Sequence, residues 1–270
     1  MLASIQRPQL FAVLFIALSL NGLATKIVLA IGRGWFEASL SLLGINAIVW
    51  AALAALIAIA AGQGEREPIR RSDWFVAAIA LLCALAPVTA LSGAMLVIAS
   101  GWLAWSSRPR NRSWRIALIA LALTGRVFWG KLALGLFGGT IATLETRIVP
   151  LLTGLQTDGN VMTAFDGSKT FVVAASCSSV ANLSLVVILM VTAIQLFRLE
   201  MSRRIWIAMG GALLAVILLN AMRLALFGYF PQHFGYWHNG PGVALFGYGL
   251  LLVIGLFVVV GTSDARRSAA

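Results

Sequence analysis

The stretch TFVVAASCSSVANLSLVVILMVTAIQLF, Thr170–Phe197, decides how the rest of the chain is read. Its second half is unbroken apolar material of the kind that forms a membrane-crossing helix. Its first half carries four small polar residues, Ser176-Cys177-Ser178-Ser179, at the mouth of that run. A thiol and three hydroxyls therefore stand where a span would meet water. Two readings compete: small residues let membrane helices pack closely, and a cysteine so placed can equally serve as a nucleophile.

Composition widens the membrane reading to the whole chain. Hydrophobic residues make up 60% of the 270 and charged ones 11%, with a mean hydropathy of +0.94, as in polytopic membrane proteins. A net charge of +11 does not point to nucleic acid. The 17 arginines and three lysines fall mostly in short clusters between apolar runs, the pattern of cytoplasmic loops, and no basic domain is interleaved with aromatics. Two cysteines supply neither a disulfide framework nor metal-ligand spacing. Cys83, deep in an apolar run, reads as a small buried hydrophobe.

The fold expected is all-α with about eight spans. Leu10–Ala30 is the first; Gly22-Leu23-Ala24 looks like a cleavage site, but apolarity resumes after Lys26, so the span is read as retained. Ala38–Ala61 is the second. Trp74–Ser106 suits two short spans broken near Ala86-Pro87, with one kinked span as the competitor. Ile116–Phe137 is the fifth and holds two cations, Arg126 and Lys131, which an ideal helix sets about 140° apart. In the external segment 138–175, Thr140–Leu155 suits a helix lying on the membrane surface. Thr157-Asp158-Gly159-Asn160 is a turn signal, and Val161–Ala164 with Thr170–Val173 reads as a small β-hairpin leading into the Cys177 helix. Ile205–Tyr229 and Gly242–Gly261 complete the spans. The chain is thus one integral membrane domain over 1–270: N-terminal spans in 1–137, the external loop in 138–175, and three site-bearing spans in 176–261.

With both termini cytoplasmic, 13 of the 20 Lys/Arg lie in inner segments, three in outer ones and four within spans. That asymmetry sets the orientation. Cys177 then lies at the outer end of span six, Arg223 near the outer end of span seven, and His238 at the outer entrance to span eight. An arginine within a span marks a site or snorkels to the surface; a lone loop histidine is usually only solvated. All three share one depth, on one side, on three consecutive spans, and a shared site explains that coincidence better than three separate accidents. A thiolate is favoured by a cation, a histidine and a helix N-terminus. Histidine can take and return a proton, and arginine can stabilise an oxyanion. Asn220, three residues before Arg223, is placed to orient the guanidinium. Val180, Ala181 and Ser184 share the Cys177 face by helical spacing.

Five segments, taken in order, resemble the exosortase/archaeosortase family of membrane transpeptidases. They are DGNVMTA (Asp158–Ala164), VVAASCSS (Val172–Ser179) opening a span, Arg203-Arg204 before the next, NAMR (Asn220–Arg223), and His238 before the last span. The resemblance covers about Leu151–Val260, the earlier spans matching in number and hydropathy. It implies Cys177 as nucleophile with Arg223 and His238 as catalytic partners, supported by Asn220 and Ser178. It also implies substrates that are secreted proteins with a C-terminal signature, a transmembrane helix and a basic cluster. Cleavage would occur at the outer face of the cytoplasmic (inner) membrane, toward the periplasm or exterior, with transfer to a surface acceptor. Bacterial members often accompany exopolysaccharide biosynthesis. One departure stands out: the family usually has Cys-Ser-Gly, whereas Ser179 occupies the third position here, and its backbone effect falls beside the nucleophile.

No cofactor, metal or nucleic-acid partner is expected; HExxH and a phosphate-binding glycine loop are missing from the sequence. Two other readings remain at this level. One is a non-enzymatic transporter or polysaccharide-export component, with Arg126, Lys131 and Arg223 lining an anionic path. The other is a serine intramembrane protease using Ser176, Ser178 or Ser179. On topology, a reporter fused after Arg204 is expected to read cytoplasmic and one within 138–160 external. External labelling of a Ser202→Cys variant would overturn the eight-span orientation.

Overall fold

Apolar runs punctuated by Gly, Pro and arginine clusters fold as helices, and the computed structural model is helical over most of its length. It describes residues 5–267, with side chains to Ser263. By their contacts these residues form two units: one runs to Trp129 and includes Val187–Glu200, the other comprises Gly130–Val186 and the chain from Met201 on.

The first unit opens with α1 (Arg7–Gly22) and α2 (Ala24–Ile31), bent by 59° where apolarity alone predicts one straight span. The expected span Ala38–Ala61 is also divided. The short helix α3 (Trp35–Leu40) and a 3-10 turn, with Leu42 and Leu43 at positive φ, precede α4 (Ala47–Ala61). Asn46 starts α4 by accepting a hydrogen bond from the Ile48 N–H at 2.9 Å, as N-cap residues do. Next come α5 (Arg71–Leu85) and α6 (Thr89–Ser106), so Trp74–Ser106 is indeed broken at Pro87. Proline has no N–H for the carbonyl four residues back. That carbonyl, on Cys83, accepts instead from Ser92 Oγ at 2.8 Å, and Asn21 Nδ2 donates to the Ala86 carbonyl at 2.8 Å.

Helix α7 (Arg112–Thr124) passes into a π turn, Gly125–Trp129. A π turn closes i→i+5 hydrogen bonds, so the ideal-helix angle between Arg126 and Lys131 does not apply across it. In the second unit the helix continues as α8 (Gly130–Thr153), making one helical run of 42 residues from Arg112. No break isolates a surface helix at Thr140. Gly154, at φ +73°, ends the run with an N–H to the Pro150 carbonyl, a left-handed stop that glycine adopts without a Cβ penalty.

Three short antiparallel strands follow: β1 (Thr157–Asp158), β2 (Val161–Thr163) and β3 (Thr170–Val172), in that order across the sheet. The β2–β3 pairing realises the expected hairpin, with Met162 opposite Phe171 and fully buried. A 3-10 turn, Ala175–Cys177, leads to α9 (Val180–Leu196). Then come α10 (Arg203–Tyr229), α11 (Phe234–His238) and α12 (Pro241–Arg267).

Among the described residues five helices are long and apolar enough to cross a membrane, or six if α1 and α2 count as one. The helices α4 and α5, expected as spans two and three, have 15 residues each. Apolar side chains remain exposed along α12, among them Leu245, Leu252, Leu256 and Val259. Such a surface calls for an apolar environment.

The polar end of α1 is held in the first unit by a buried ion pair. Arg7 Nε and Nη2 donate to the two oxygens of Asp73, each at 2.8 Å, and the side chains are 3% and 0% exposed. Trp102 Nε1 and the Arg70 N–H also donate to that carboxylate. Removing one member of a buried pair strands the other charge, at about 3–5 kcal/mol. Asp73→Ala is therefore expected to lower the unfolding midpoint in detergent severely. The double substitution Arg7→Met/Asp73→Leu is expected to cost less than Asp73→Ala alone, measured by the same melt.

Candidate active site

Cys177 closes the 3-10 turn Ala175–Cys177 and is 7% exposed. The turn packs tightly on α8: a Cβ on Gly138 would come within 2.8 Å of the Ala175 Cβ. Ser178 is extended, with ψ near 150°, so Cys177 lies outside α9. The expected face shared with Val180, Ala181 and Ser184 does not form, because helical spacing does not carry across an extended residue.

The sulfur of Cys177 lies 3.6 Å from Nε2 of His238. His238 is placed by aromatic packing on α11, not by a loop. Its ring stacks on Phe234 (4.8 Å, 16°) and meets Phe227 edge-on (5.8 Å), and Phe234 in turn stacks on Phe171 of the sheet (5.0 Å). Nδ1 of His238 is buried and meets no hydrogen-bond partner among the described residues. Arg223 on α10 donates from Nε to the Trp237 carbonyl and from Nη2 to the His238 carbonyl, both at 3.3 Å. Its guanidinium lies over the Phe227 ring (5.8 Å) and within electrostatic reach of Cys177. Thus Cys177, Arg223 and His238 come together, while His233, five residues earlier, is exposed.

Sequence reasoning missed Glu145. Its carboxylate accepts from Ser178 Oγ (3.0 Å), Ser179 N–H (2.9 Å), Ser179 Oγ (2.8 Å) and Asn220 Nδ2 (2.7 Å). Asn220 also donates to the Cys177 carbonyl at 2.9 Å. Asn220 therefore does not orient Arg223: the bonds from its amide nitrogen go to Glu145 and to the Cys177 carbonyl. The carboxylate also occupies the start of α9, the helix N-terminus expected to favour a Cys177 thiolate. A usable signal lay in the sequence: Gly138, Ala142, Glu145 and Val149 follow spacings of four, three and four along α8, which puts a glutamate on the apolar inner face.

The Ser178 and Ser179 hydroxyls donate to Glu145, and Ser176 is exposed, so no serine of this stretch bonds the histidine. The Ser179 departure strains nothing: non-glycine residues at positive φ, among those described, are Leu42, Leu43, Arg110 and Arg198. Its hydroxyl instead adds a donor to Glu145. Among the described residues no group of three or more His, Cys, Asp or Glu gathers as a metal centre.

Comparison of the chain with protein-family models, with curated proteins and with solved structures finds no match in any of the three. Replacing Asn220 by Leu leaves a carboxylate oxygen and a buried carbonyl short of a donor, at about 1–3 kcal/mol each. A lowered melting midpoint is expected. A larger drop is expected for Asn220→Asp, which sets a second carboxylate against Glu145.

Proposed function

We propose that the chain is a membrane cysteine transpeptidase or protease of exosortase/archaeosortase type. It acts on C-terminal sorting tails of secreted proteins at the outer face of the cytoplasmic membrane. The observation that carries the reading is the convergence of Cys177, His238 and Arg223, with sulfur and imidazole 3.6 Å apart. The orientation set by the arginine clusters, with about eight crossings, puts this site outside.

In this reading Cys177 Sγ attacks the scissile carbonyl carbon, forming an S–C bond as the thiol proton passes to His238 Nε2. The tetrahedral oxyanion collapses, the C–N bond breaks, and His238 returns the proton to the leaving nitrogen. An amine or water then attacks the thioester and frees the thiol.

The oxyanion's partner follows from counting donors, since each backbone N–H has one bond to give. The Cys177 N–H goes to the Ala174 carbonyl, Ser178 N–H to Ala175, Ser179 N–H to Glu145 and Val180 N–H to Ser178 Oγ. Every main-chain donor beside the nucleophile is thus engaged. The Arg223 Nη1, which makes no hydrogen bond among the described residues, is the group left to face the oxyanion. Among the described residues His238 Nδ1 has no hydrogen-bond partner, and the set they form is a cysteine–histidine pair with a cation.

The test is processing of a co-expressed secreted protein ending in a signature, helix and basic cluster, read by the mass of its C-terminal fragment. Cys177→Ala is expected to abolish processing at normal expression; persistence would sink the nucleophile. His238→Ala is expected to slow it strongly and His233→Ala to leave it near normal. Arg223→Lys keeps the charge but loses the planar fork, and a loss of about a hundredfold to a thousandfold is expected. Near-normal rates in Arg223→Lys would remove the oxyanion role.

A further inference from the structure

Glu145 holds both flanks of one peptide. On the C-terminal side it accepts from Ser178 and Ser179, the two residues that follow Cys177. On the carbonyl side it accepts from Asn220, whose amide also holds the Cys177 C=O. One carboxylate thereby sets the position of Cys177 from two directions. It does so with a negative charge at the start of α9, where the helix end would otherwise favour a thiolate.

The other groups around the sulfur weigh on the same balance. The charged and titratable neighbours are His238 on α11, Arg223 on α10 and Glu145 on α8. The core cluster that includes Cys177, with Ala142, Met162, Val173, Ala221 and Leu224 among its members, is apolar. Arg223 favours the thiolate. Burial of the thiol and the Glu145 charge oppose it. Burial and the Glu145 charge thus disfavour the ion pair, and Arg223 favours it.

We propose that Glu145 is the positioning residue of the nucleophile, and that its charge keeps Cys177 a neutral thiol until substrate is bound. The inference rests on the reading of Cys177 as nucleophile. It gives the carboxylate a use in an oxidising exterior, because thiolates and not thiols are the oxidised and alkylated form. Deprotonation then belongs to the attack itself, with the proton moving from Sγ to His238 Nε2.

The experiment measures iodoacetamide alkylation of the full chain in detergent against pH, by intact mass, in a Cys83→Ala background so that Cys177 alone is read. The parent is expected to alkylate with the pH dependence of a thiol that is not activated toward thiolate. Glu145→Gln, nearly isosteric and uncharged, is expected to move the alkylation midpoint down by about one unit while tail processing falls at least tenfold. A merely structural role would leave the midpoint unmoved or raise exposure without an acid shift. A Glu145→Gln midpoint equal to that of the parent overturns the proposal. So does a parent midpoint at or below about 6, which needs no folded variant. Alkylation does not depend on processing: if Cys177→Ala still processed tails, the functional reading would fail while the charge effect stayed measurable.

Discussion

A carboxylate in a largely apolar surrounding is tolerable only if hydrogen-bond donors replace the water it has lost, and Glu145 meets that condition with donors from three residues. Two hydroxyls, a backbone N–H and a side-chain amide converge on it. Each donor belongs to an element that must be in place: the start of α9 for Ser178 and Ser179, the middle of α10 for Asn220. The dependence runs both ways. Without the carboxylate those donors would be orphaned, and without them the carboxylate would be a half-buried unpaired charge. This mutual requirement locks α8, the Cys177 turn and α10 into one arrangement, and the spacing of sulfur and imidazole follows from it.

The histidine is held by a different force. Among the described residues no partner meets His238 Nδ1; its ring is sandwiched by dispersion and edge contacts against Phe234 and Phe227, with Phe171 beyond. That layer is continuous with the apolar cluster of Met162, Val173, Leu224 and Phe227, in which Cys177 itself is buried. The small sheet therefore has a structural use. It presents Phe171 to α11 and fastens to α10 through the Phe165 N–H on the Gly228 carbonyl at 3.0 Å. Packing sets the ring's plane, and the main-chain carbonyls of Trp237 and His238 set the Arg223 guanidinium.

In the first unit the same accounting appears in another form. Pro87 breaks a helix, and the freed carbonyls accept from Ser92 and Asn21. Arg115 donates to the Gln195 carbonyl at the end of α9, the usual partner for carbonyls left over at a helix C-terminus. The matching is not complete: Ser19 Oγ, Ser113 Oγ, Thr192 Oγ1 and Arg112 Nε are buried and meet no hydrogen-bond partner among the described residues.

Much of the fold was legible because its signals are local. Apolar runs gave the helices, the proline gave the break at Ala86–Val88, and the paired short runs Val161–Ala164 and Thr170–Val173 gave the hairpin. The bend at Leu23, the 3-10 turn before α4 and the π turn at Gly125–Trp129 were not legible, since no breaker residue in a short apolar stretch announces which way the backbone will yield. For the site, type and depth were enough to bring Cys177, Arg223 and His238 under one heading. The sequence by itself determined the helical class and the apolar runs that suit a membrane. Only the tertiary structure decided that Cys177 sits in a turn before its helix, that Asn220 donates to the Cys177 carbonyl, and that Glu145 joins them. Its donors lie 33, 34 and 75 positions away along the chain. A hydrogen bond is satisfied by distance in space, and hydropathy, charge and spacing record only distance along the chain.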